Sequence, residues 1–102
     1  MQRETEILNG VRDVLRYNGF FVIRHQAGIA THKGLSDLEA IGKGQTLYLE
    51  IKTPTGSQSP HQREFERQVE AHGGKYFVIR SIEQMQDILN ELGMSNGKLL
   101  FA

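Results

Sequence analysis

The sequence predicts an α/β sandwich around one mixed sheet, with elements in the order helix, three strands, helix, strand, helix. Three observations carry this. Apolar residues from Ile7 to Leu15 recur at helical spacing. Three aromatic, β-branched or alternating runs follow, over Phe20–Arg24, Leu38–Ile41 and Thr46–Lys52, before a helix start at Ser59-Pro60. A strand-sized run, Tyr76–Arg80, then lies between Gly73-Gly74 and a second helix-start pattern.

Taken in order, Ile7, Leu8, Val11, Val14 and Leu15 make Glu4 to Asn18 an amphipathic helix that Gly19 ends. At about 100° per residue, Glu4 falls in the middle of the face carrying Leu8, Val11 and Leu15 and is expected to face the interior, whereas Glu6 points away. Phe20 to Arg24 is a first strand, followed by a polar loop through Gly28 and Gly34. Leu38 to Ile41 and the alternating Thr46 to Lys52 read as a hairpin about Gly42-Lys43-Gly44, with Leu47, Leu49 and Ile51 on one face and Tyr48, Glu50 and Lys52 on the other. Ser59 as N-cap and Pro60 at the first helical position open a helix to about His72. Tyr76 to Arg80 is a buried-type strand, and Ser81 and Gln84 stand at capping-box spacing at the head of a last helix ending near Leu92. The Lys98 to Phe101 stretch fits a further strand, a dimer element or a loose end.

One domain, residues 1–102, is expected, because a chain of 102 residues cut in two would leave pieces too small to bury a core. Hydrophobic residues at 38% and charged residues at 24% exclude a disordered or membrane class. The longest apolar runs fall far short of the roughly 20 residues of a spanning helix, and the charged start at Met1 has no signal core. The absence of cysteine excludes a disulfide framework, thiolate metal sites and thiol catalysis, and agrees with a cytoplasmic location. Net charge is zero, yet Val14 to Ser36 holds no acidic residue while Arg16, Arg24, His25, His32 and Lys33 fall there, just ahead of Asp37. That distribution fits a phosphate-binding rim and equally a solvated basic loop.

Ionised groups on strands paired at both edges cost several kcal/mol unless paired or coordinated. Asp37 begins one strand, and Glu50 and Lys52 lie two apart on the next, so their side chains share a face. Two carboxylates from neighbouring strands suit magnesium, which prefers oxygen ligands and keeps several waters. Lysine beside them suits activation of a water or stabilisation of charge on a phosphate. Spacing alone also fits a surface ion pair with Asp37 capping a turn. Ser59 reads as a cap rather than a nucleophile. His25, His32 and His61 show no metal-ligand spacing and read as phosphate contacts or surface residues.

Gly34-Leu35-Ser36-Asp37-Leu38, then Tyr48-Leu49-Glu50-Ile51-Lys52-Thr53-Pro54, then Gly56-x-x-Ser59-Pro60-x-Gln62-x-x-Phe65, resemble the motif blocks of the virus-type replication-repair nuclease (VRR-NUC) domain, a branch of the PD-(D/E)xK nuclease superfamily. The resemblance covers nearly the whole chain. It implies a restriction-endonuclease-like αβββαβ(α) core with a central mixed sheet flanked by helices. Magnesium or manganese would be held at Asp37, Glu50 and Ile51, with Lys52 as catalytic lysine and Glu4 and Gln62 in support. Arg24, Lys33, Ser36 and Ser59 are the expected substrate contacts. Ser36 departs from the pattern, since the superfamily often has proline before the aspartate.

At the third position of its helix, Gln62 is placed to orient a water or a phosphate oxygen, or to make a helix-start hydrogen bond alone. Stand-alone members of the family resemble archaeal Holliday-junction resolvases, so the expected activity is structure-specific, divalent-metal-dependent cleavage of branched DNA by a homodimer in DNA repair. A catalytically inactive nucleic-acid-binding module of the same fold and a restriction-type endonuclease on linear duplex are the competing readings.

Overall fold

The computed structural model describes residues 3–26 and 32–96. Its elements are α1 (Glu4–Tyr17), β1 (Phe21–Arg24), β2 (Leu38–Gly42), β3 (Gln45–Ile51), α2 (Pro60–Ala71), β4 (Lys75–Ile79) and α3 (Ile82–Glu91). The order is the expected one, and each boundary falls within about a residue of its expected place, as fraying ends allow. The Lys98 to Phe101 stretch and the Gly28 part of the first loop lie outside the described residues. Among the described residues no helix is long and apolar enough to cross a membrane.

The sheet runs β1-β2-β3-β4. The first three strands are antiparallel neighbours, and β4 joins β3 in parallel, with α2 as the crossover. The register pairs Leu38 with Leu49, Ala40 with Leu47 and Ile51 with Ile79. Paired residues share a face, so these six make one apolar surface, and all are fully buried. Helices α1 and α3 lie on that surface. The stripe Ile7, Val11 and Leu15 and the pair Met85 and Leu89 complete the core. Gly10 lets the two helices approach, since a Cβ there would fall 2.3 Å from the Ile82 side chain.

The opposite face carries Glu39, Tyr48, Glu50 and Tyr76. Helix α2 covers it on the β3–β4 side, where Phe65 meets Tyr48 and Tyr76 edge-on with ring centroids 5.7 and 6.1 Å apart. No residue of α2 is fully buried. One face of the sheet is thus devoted to stability and the other is left partly open, with charged residues at its C-terminal end.

Two polar devices fix the frame. Asn18, at the end of α1, donates from Nδ2 to the Val14 carbonyl (2.8 Å) and to Gln86 Oε1 (2.9 Å), and its Oδ1 accepts from the Asn96 backbone N–H (2.8 Å). It ties α1, α3 and the chain after α3 into one buried network. Arg80 Nη1 donates to the carbonyls of Thr53 (2.8 Å) and Gly56 (2.7 Å), pinning the loop that follows Lys52. At α3 the expected capping box is half formed. Ser81 Oγ accepts from the Gln84 N–H, while the Gln84 side chain reaches past it to the Arg80 N–H and the Val78 carbonyl, groups that the end of β4 leaves open.

Replacing Asn18 with alanine strands buried partners on two elements and should lower the unfolding free energy by about 2 to 4 kcal/mol, read by urea denaturation. A loss under about 0.5 kcal/mol, the range of an ordinary surface change, would show that the network does not hold the helices together.

Candidate active site

The ladder that pairs Leu38 with Leu49 brings Asp37 opposite Glu50 one rung further on, both directed to the α2 side. Asp37 is fixed there by the backbone, because its Oδ2 accepts from the Ile51 N–H at 2.7 Å. Glu50 stands on an interior strand beside Val78 of β4 and is 2% exposed. Lys52 sits just past β3, and its N–H continues the ladder to the Ile79 carbonyl (3.0 Å). Its Nζ lies 3.8 Å from Glu50 Oε2.

Gln62 links this cluster to the head of α2. Its Oε1 accepts from the Ser59 N–H (2.8 Å), Ser59 Oγ accepts from the Gln62 N–H (3.1 Å), and its Nε2 donates to Glu50 Oε2 (2.7 Å). The helix-start bond and the contact with the site, set out as alternatives by the sequence, therefore coexist in one side chain. A full capping box is formed, and its outer end holds a carboxylate.

Glu50 Oε1 is buried without a hydrogen-bond partner. Burial pushes the Glu50 carboxyl up to about 8, assisted by the Asp37 carboxylate against it and by the charge of Glu4, with Lys52 pulling the other way. The same environment raises the Tyr76 phenol, chiefly by burial and then by Glu50. Two facing carboxylates, one with an orphaned oxygen and an electrostatic deficit, are a donor set that suits a hard divalent cation. Among the described residues no cluster of three or more histidine, aspartate or glutamate side chains is positioned around a common metal position. Magnesium is a hard cation of that kind, taking one or two carboxylates and filling its shell with water and phosphate oxygens.

The remaining expected residues divide. Glu4 is exposed, not interior, because it opens α1 ahead of Ile7 and Leu8, where the buried stripe begins, although its charge still acts on Glu50. Ile51 serves through its N–H on Asp37, and its side chain is wholly within the apolar core. Ser36 is 1% exposed, its hydroxyl donates to the Leu38 carbonyl (3.1 Å) and so shapes the turn, and the residue lines the cavity beside Asp37. Ser59 is the α2 cap. Arg24 is exposed at the end of β1 and lies off the cavity beside Asp37, whereas Lys33 lines that cavity.

Sequence reading gave His25 no structural part and passed over Glu39. The His25 N–H donates to the Asp37 carbonyl (2.9 Å), while its ring nitrogens lie 2.9 Å from the Ser36 carbonyl and 3.0 Å from Glu39 Oε1. His25, the residue just after β1, thereby brackets Asp37 on both sides. The signal was its position in the ladder, which needs the strand pairing to be read. Gly34 is the second hidden element. Its φ is +78°, and a Cβ would fall 2.0 Å from the His61 carbonyl oxygen, so only glycine lets this turn rest on the start of α2.

No family model and no curated protein matches this chain. Among solved structures it is similar to one described as a VRR_NUC domain, with 22% identity, a TM-score of 0.74, and coverage of 89% of this chain and 97% of that one. The expected VRR-NUC fold, a mixed four-stranded sheet with three helices, is thus the observed one.

With the Glu50 carboxyl raised from 4.5 to about 8, the folded chain holds this proton more tightly than the unfolded chain. The stabilisation is complete below the unfolded value and is lost as pH rises through the folded one. In EDTA, the melting temperature should therefore fall between about pH 5 and pH 8, and Glu50→Gln should flatten that slope and melt higher at about pH 8. Parallel profiles for the two proteins would contradict this account of Glu50.

Proposed function

We propose that this chain, whose fold is that of a VRR-NUC domain, is a structure-specific DNA endonuclease that hydrolyses phosphodiester bonds with magnesium or manganese. The observation that carries the reading is the buried Glu50 facing Asp37, with the Lys52 ammonium 3.8 Å away, at the open end of the sheet. Asp37 and Glu50 would hold the ion, which supplies Lewis-acid polarisation of the phosphate and a water of lowered pKa. Lys52 brings a positive charge to the non-bridging oxygens, where negative charge grows as water attacks phosphorus. Gln62 fixes the rotamer of Glu50 and carries the rigidity of the α2 cap into the site. Glu4, at the exposed start of α1, adds negative charge facing the same centre and is a candidate for a water-mediated contact to the ion.

Branched DNA and a homodimer remain the favoured substrate and assembly. The described elements are all spent on the nuclease-like core, so DNA shape is a better cue than base sequence. Pairing of two copies would set two sites on two strands, as symmetric cleavage requires. An apolar pair in register on the open face of the sheet edge, Phe21 at 65% and Ile41 at 39% exposure, supports a further contact there.

Incubation with labelled four-way junction, flap and linear duplex, in magnesium, manganese or EDTA, tests the reading. Cleavage of the branched substrates that stops in EDTA is expected. Asp37→Asn and Glu50→Gln should each lower the rate by at least about a hundredfold, given the usual weight of such electrostatic groups. Folded protein that binds junctions but never cuts them would favour the inactive binding module, and preference for one linear sequence the restriction-type reading. Glu4→Gln should slow cleavage more than Glu6→Gln, and equal effects would remove Glu4 from the site.

A further inference from the structure

A cavity of about 490 Å³ opens beside the Asp37–Glu50 pair, between the turn carrying Lys33 and the start of α2. This is the size of a site for a small ligand, which runs from about 300 to 1,000 Å³. Asp37 and Gln62 form its wall on the side of the proposed metal site, and Asp37 is the one acidic residue that lines it. The other walls carry His25, His32, Lys33 and His61. His25 is already spent on Ser36 and Glu39. Among the described residues nothing engages the Lys33 ammonium or the His61 ring.

Three features suit these walls to an anion with a flat group attached. Pressing Gly34 onto the His61 carbonyl brings the Lys33 turn against the first turn of α2, a helix of 12 residues whose N-terminus favours negative charge. In that turn, the Gln62 N–H goes to Ser59 Oγ and the Arg63 N–H to the Ser59 carbonyl, and Pro60 has none, which leaves the His61 N–H as the free donor. His32 is held in place by its Nδ1, 2.8 Å from the Lys33 carbonyl, and by the Phe65 ring at 5.6 Å, so an aromatic surface stands fixed on the cavity wall.

We propose that this cavity seats one nucleotide unit of the DNA strand next to the cleaved bond. Its phosphate lies against Lys33 and His61, and its sugar or base against the His32 ring. The inference rests on the nuclease reading above, and adds that the strand is gripped at a second phosphate, one linkage from the metal pair. That grip fixes which bond enters the metal site, because a strand held at one phosphate and cut at the next cannot slide.

The test is a scan of single neutral methylphosphonate linkages along the cut strand of a four-way junction. Binding is measured in calcium and cleavage in magnesium, for the wild-type protein and for Lys33→Ala/His61→Ala, with circular dichroism to confirm folding. Both residues are exposed, so the double variant should fold. One linkage, adjacent to the cut, should weaken wild-type binding roughly tenfold when neutralised, the loss of one charged hydrogen-bonded contact. In the double variant the same linkage should matter less than about twofold, because the contact is already gone. Equal losses in both proteins at every linkage would overturn the subsite and leave the nuclease reading standing. Binding that shows the linkage effect without any cleavage would keep the phosphate contact at Lys33 and His61 but sink the nuclease reading, and with it the placement beside a cleaved bond.

Discussion

Glu50 is a carboxylate on an interior strand, buried to 2% exposure, with one oxygen lacking any partner. Burying an ionised group in this way costs several kcal/mol, so Glu50 keeps its proton up to about pH 8, and a fold organised for stability alone would place valine or leucine there. On balance its neighbours disfavour the ionised form. Asp37 opposite and Glu4 beyond add to the repulsion, and Lys52 offsets only part of it. The repulsion among these carboxyl groups is of the kind that a divalent cation relieves, and carboxyls perturbed in this way concentrate at functional sites.

Keeping these carboxyl groups in place requires a rigid frame, and the frame is assembled from the backbone outward. The Ile51 N–H holds Asp37, the Lys52 N–H extends the β3–β4 ladder, and Arg80 pins the loop after Lys52 at two carbonyls. Gln62 closes the arrangement by serving the α2 cap and the Glu50 carboxylate with opposite ends of one amide. Around them the sheet divides its labour. One face buries Leu38, Leu47, Leu49 and Ile51 under α1 and α3, and the other stays partly open for polar chemistry.

His25 and Gly34 show how the surroundings of the site depend on the loop between β1 and β2. His25 bonds to residues on both sides of Asp37 and to its backbone, so the residue just after β1 sets the position of the carboxylate just before β2. Gly34, at positive φ and in contact with the His61 backbone, joins the same loop to α2. The cavity beside Asp37 exists because these two contacts hold its walls apart and in place.

The sequence by itself determined the element order, the common face of Leu47, Leu49 and Ile51 on the third strand, and the opposite face shared by Glu50 and Lys52. Each of these follows from local periodicity or from alternation along one strand, whereas Asp37 comes opposite Glu50 only through the pairing of β2 with β3. Periodicity could say that Glu4 shares a face with Leu8 and Leu15, but not that burial along α1 begins only at Ile7 and Leu8, leaving Glu4 exposed. Spacing alone gave Gln62 either a cap or a site contact, and only the packing of α2 across β3 let it make both. The roles of His25, Glu39, Arg80 and Gly34 were decided by tertiary structure. Each depends on a contact between segments separated along the chain, and such a contact leaves no periodic trace in either segment. Ser36 marks the same limit from the other side, since the hydroxyl next to Asp37 is bonded to the Leu38 carbonyl once the chain has folded.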